Sequence, residues 1–107
     1  MGNPPFRPVR EIESAVQRGE LRTAVALARD FSAEHKRPVP LGVALKLLPL
    51  IAQHSSREYD AYAVRWLERW LAETPAPTIE QAAEVAASLA ELPSEPLGAA
   101  STLAEAV

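Results

Sequence analysis

From Leu41 to Ala52 the chain carries a single charged residue, Lys46. A helix over this run is apolar nearly all round, and such a helix has to be covered on several sides by the rest of the molecule. The run is far shorter than the ~20 apolar residues that a bilayer span needs, so it reads as a central core element. Pro49 sits inside it. Proline has no backbone N–H and its ring clashes with the carbonyl four residues earlier, here Leu45, which predicts a kink or break near Leu48.

What surrounds the run is set by composition. Most of the apolar content of this 107-residue chain is Ala, Leu and Val, and aromatic residues make up only 6%. Alanine and leucine favour helices, and β-branched or aromatic residues never alternate over a useful length, so no strand is expected. The expected fold class is all-α: a compact bundle of five to six short helices, arranged as successive helical hairpins around the central apolar, Pro-kinked helix. One domain over 9–107 is predicted, preceded by a flexible Pro-rich lead-in over 1–8, and the last helix, 94–107, is expected to fray.

The local signals follow this plan. Val9, Ile12 and Val16 recur at spacings of three and four, and Gly19 can end a first helix there. Leu21, Ala24, Val25, Ala28 and Phe31 line one face of a second, which Pro38 and Pro40 stop. Ser55 or Ser56 is the expected cap of a fourth helix. That helix has the most regular pattern in the chain, with Tyr59, Tyr62, Ala63, Trp66, Leu67, Trp70 and Leu71 on its inward side. Thr78 and Gln81 match a capping box that opens a fifth helix, whose inward residues are read as Ile79, Ala82, Ala83, Ala86, Leu89 and Ala90. Paired in order, the elements give hairpins near 10–36, 40–73 and 78–107, a spacing similar to that of helical-repeat proteins.

Few residues carry chemistry. The chain has no cysteine, which excludes a disulfide framework, thiolate catalysis and cysteine-ligated metal. The two histidines, His35 and His54, lie 19 residues apart in sequence, and neither is read as a metal ligand. His54, Ser55, Ser56 and Asp60 hold the residue types of a hydrolase triad, but neighbours along one backbone cannot present the hydroxyl to the imidazole and also form an oxyanion hole, so capping is the better reading. Glu80, Glu84 and Glu91 lack the Glu-x-x-His pattern of dimetal bundles and read as a solvated acidic face. Neither a catalytic residue nor a cofactor is assigned.

Charge is the remaining signal. Residues 1–46 hold eight Lys/Arg against five Asp/Glu, a balance of +3, and residues 47–107 hold three against nine, a balance of −6. The candidate partner-binding residues are Arg18, Arg22, Arg29, Lys36 and Arg37. Of these, 22, 29 and 36 are seven apart and align along one side of the second helix. The expected function is a non-catalytic protein–protein interaction or adaptor module, acting on another protein or on a second copy of itself. The alternative is a nucleic-acid-associated regulator using the basic helix face, and a pocket at Pro49 is a third option. No signal segment or membrane span is read, a cytoplasmic location is expected, and the excess of arginine over lysine suggests a GC-rich bacterial gene.

Overall fold

Every regular element in the described chain is a helix, as the alanine and leucine content requires. The computed structural model describes residues 6–107, with side chains from Pro8 onward; of the lead-in expected over 1–8, residues 1–5 lie outside the described residues and 6–8 belong to the first helix. The elements are α1 (Phe6–Gln17), α2 (Leu21–His35), α3 (Leu41–His54), α4 (Ser56–Glu73), α5 (Ile79–Glu91) and α6 (Pro96–Ala106). None is long and apolar enough to cross a membrane.

The most extensive packing is between neighbours in sequence, α1 with α2, α3 with α4 and α5 with α6. The first pair turns at Gly19, whose φ of +73° only glycine adopts without strain. There Glu20 N–H donates to the Ala15 carbonyl at 2.9 Å and Gly19 N–H to the Val16 carbonyl at 3.0 Å, which satisfies two helix-end carbonyls at once. At the end of α2, Lys36 takes a left-handed conformation at φ 53°. A residue with a Cβ bears a cost of roughly 1 kcal/mol there.

Helix α3 is the centre. It packs against α1, α2, α4 and α6, and seven of its fourteen residues are buried. It continues through Pro49 to His54, so the chain does not break there. α5 does not reach α3; it packs on α4 and α6, and α6 packs on α3.

Helix α4 fastens the bundle through its aromatic face. Tyr59, Ala63, Trp66 and Trp70 are buried, and each large ring donates a hydrogen bond to a different helix. Tyr59 Oη donates to the Leu89 carbonyl of α5 at 2.6 Å, Trp66 Nε1 to the Leu41 carbonyl of α3 at 3.0 Å, and Trp70 Nε1 to the Ala106 carbonyl of α6 at 2.9 Å. Burying an aromatic ring while satisfying its polar tip is how such side chains gain area without leaving a stranded donor. On the flank of α4, Arg69 Nη2 holds the Val39 carbonyl before α3 at 2.8 Å, and Arg69 Nε pairs with Glu73 at 3.0 Å.

The capping box is present as predicted: Gln81 N–H donates to Thr78 Oγ1 at 3.1 Å and Thr78 N–H to Gln81 Oε1 at 2.9 Å. The serine cap is not. Ser55 occupies the cap position of α4, but its hydroxyl makes no capping bond. In the last helix Leu103 is fully buried, and the Ala106 carbonyl accepts from Trp70 Nε1.

Candidate functional site

Two inward assignments are corrected by the structure, and together they define the most distinctive surface of the molecule. On α4, Leu71 is 41% exposed, and the neighbouring Val64 is 53% exposed. On α5, Ile79 is 88% exposed, and Ala83, Ala86 and Ala90 are exposed with it. The buried side of α5 is instead Val85, Ser88 and Leu89, with Leu92 just beyond its end.

The reason is volume. At about 100° per residue α5 carries two regular apolar stripes, one through 79, 83, 86 and 90 and one through 82, 85, 89 and 92. Burying valine and leucine removes more apolar area from water than burying alanine, at roughly 25 cal/mol per Å², so the second stripe takes the core. The first is left facing out.

The exposed stripes of α4 and α5 meet. Asp60, Val64 and Leu67 of α4 line one shallow groove of about 350 Å³ with Ala86, Leu89 and Ala90 of α5. The bond from Tyr59 near the start of α4 to Leu89 near the end of α5 makes the helices antiparallel, so Leu71, Ala83 and Ile79 continue the same face toward the turn at 74–78. Two acidic side chains of α4 border it, Asp60 and Glu68, both exposed and without an ion pair among the described residues, whereas Glu84 of α5 lines a separate cleft with Thr102 and Glu105 of α6. Asp60 also acts inward. Burial in the first place, and the Asp60 carboxylate in the second, push the Tyr59 phenol up to about 12, so it remains a hydrogen-bond donor across the neutral range.

The basic residues singled out from the sequence lie elsewhere. Arg18 is engaged within the first turn, with Nε 2.6 Å from Glu20 and Nη1 2.6 Å from Ser14 Oγ. Arg22 and Arg29 project from α2 with exposed Ala26 and Ala33 between and beyond them, Lys36 and Arg37 follow the helix, and these four basic side chains have no ion pair among the described residues. A cleft of about 880 Å³ brings Arg22 and Arg29 together with His54 and Ser55, which sequence spacing had left unrelated, but Glu20 and Glu58 line it as well. His35 stacks on Phe31, with ring centroids 4.4 Å apart.

A third surface lies along the open flank of α3. Gly42, Lys46 and Pro49 face a groove of about 820 Å³ shared with α1 and α6, bordered by Leu97 and Val107. Its one ion pair joins Lys46 Nζ to Glu13 at 3.1 Å. No group of three or more metal-ligating side chains occurs among the described residues. The chain matches no protein-family model, no curated protein and no solved structure.

Proposed function

We propose that this protein is a non-catalytic protein–protein interaction module, and that its working surface is the outer face of α4 and α5. The observation that supports this reading is the distribution of exposed apolar side chains. All five large ones among the described residues, Val64, Leu71, Ile79, Leu97 and Val107, fall in the acidic part of the chain, and three of them share one face. Scattered exposed hydrophobics are ordinary, but a contiguous face framed by charges of one sign marks a surface made to be covered. Each such side chain gains roughly 1.5–3 kcal/mol when it is fully covered. A complementary partner presents small or apolar side chains between basic ones.

Nucleic-acid binding by Arg22 and Arg29 is the weaker reading. A phosphate backbone is attracted by net positive charge, and the cleft those arginines line contains Glu20 and Glu58.

The test is a photoreactive amino acid placed at Val64, with one at the exposed Gln53 of α3 as control, irradiated in cells that make the protein. An adduct of defined mass at position 64 and none at 53 is expected. No adduct at 64, or the same adducts at both positions, would overturn the reading.

A further inference from the structure

Helices α2 and α4 both pack on α3 but share no contact with each other. The gap between them is the cleft of about 880 Å³, and its floor and walls differ in character. Ile51 of α3 is buried, with Leu21 and Val25 of α2 half-buried around it, so the floor is apolar. Both walls carry charge: Arg22 and Arg29 on α2, and Glu58 on α4, all exposed. None of the three makes an ion pair among the described residues, whereas the remaining acid of the cleft, Glu20, is already held by Arg18 at 2.6 Å. Cations and an anion thus line one cleft without neutralising each other, because the helices that bear them do not meet.

Mixed charge of this kind is poor for a polyanion, since Glu58 repels phosphates, and is matched by a molecule that carries both signs. We infer that the α2/α4 cleft binds a small zwitterion with an apolar body, a short peptide of apolar residues, with its carboxylate at Arg22 and Arg29 and its ammonium at Glu58. The two arginines stand ~10.5 Å apart along the axis of α2, and their long side chains reach a carboxylate lying between them. Guanidinium bonds to a carboxylate are charge-assisted and strongly oriented, which fixes one end of the ligand. Its apolar side chains cover Ile51 and Val25, which removes further apolar area from water. The volume of the cleft falls within the ~300–1,000 Å³ of ordinary small-ligand sites. This site lies apart from the α4/α5 face and does not depend on that face being an interaction surface.

The probes are leucine, leucyl-leucine and tri-leucine, each titrated into the full chain to about 10 mM while amide chemical shifts are followed. At least one should give saturable shifts around Arg22, Arg29, Ile51 and Glu58, with Val64 and Leu71 unmoved. Blocking either charge of that probe, by N-acetylation or as the C-terminal amide, should weaken binding about tenfold, the effect of losing one hydrogen bond between charged groups. The protein side should give the crossed pattern. R22Q/R29Q should weaken the free peptide about tenfold and leave the amide unaffected, and E58Q should weaken the free peptide about tenfold and leave the N-acetylated form unaffected. Both variants change exposed side chains only, and circular dichroism checks that their helicity is that of the wild type. No saturable shift with any of the three probes, shifts that map elsewhere, or an N-acetylated peptide that binds as tightly as the free one would overturn the inference. Inorganic phosphate binding as tightly as the peptide would overturn it too, since the cleft would then select an anion and not a zwitterion.

Discussion

Tyr59 shows how much one side chain can settle. Its hydroxyl bonds to the Leu89 carbonyl, and the helical donor that carbonyl would otherwise meet belongs to Pro93, which has no N–H. Tyr59→Phe strands a buried acceptor and should lower unfolding stability by about 1–3 kcal/mol. Tyr62→Phe keeps the ring under Arg65 and should stay within about 0.5 kcal/mol in the same urea titration. The raised phenol also carries a pH signature. Its pKa in the folded protein, about 12, lies above the ordinary 10.0, so the folded state keeps the proton that the unfolded chain gives up. Its stabilising contribution is whole below pH 10 and is lost as pH rises toward 12, a decline that Tyr59→Phe should lack. The burial of Tyr59, Trp66 and Trp70 is legible in their helical spacing. The carbonyls they reach are not, because those lie 25 to 36 residues away in sequence and are set by how the hairpins pack.

Among the elements, what was legible depended on how sharply polar and apolar faces divide. α4 mixes charged residues with aromatics and could be read in only one way, apart from Leu71 at the edge of its stripe. α5 is apolar on most of its circumference, so periodicity alone offers two faces, and the choice is made by side-chain volume against α4 and α6. Its start is marked more plainly: Thr78→Ala removes the hydroxyl that accepts from Gln81 N–H, leaves the Thr78 backbone N–H bond to Gln81 Oε1, and should cost about 1 kcal/mol, measured by thermal or urea unfolding. In α3 the apolar run does form the central helix, and of the kink or break expected near Pro49 the break does not occur, since the helix, held by neighbours on several sides, runs on to His54. Pro49→Ala returns a donor to the Leu45 carbonyl, and although packing around the groove offsets part of the gain, unfolding should shift toward greater stability by about 1–2 kcal/mol.

At the scale of the whole molecule, the sequence shows a basic first part and an acidic second part; Arg22 and Arg29 stand exposed on α2, and Val64, Leu71 and Ile79 stand exposed on α4 and α5. The alignment of Arg22 and Arg29 can be read from their spacing. The apolar face cannot, since exposure depends on which helices happen to cover which, and Ile79 and Leu71 have the same chemistry inside or out. A clean consequence is that Leu71→Lys, at a half-exposed position outside the core, should change stability by no more than about 0.5 kcal/mol, whereas a lysine at a core leucine would cost several times that. Loss of association without loss of stability would mark Leu71 as a contact residue.

The account is tested most directly by amide chemical shifts of the full chain followed as the protein captured through the position-64 adduct is titrated in. A working surface on the outer side of α4 and α5 predicts concentration-dependent shifts confined to that face around Val64, Leu71 and Ala86, with the α2 side at Arg22 and Arg29 and the α3 flank at Gly42 and Lys46 unmoved. Shifts that are absent at every concentration, or that map to the Gly42–Pro49 groove instead, would contradict it.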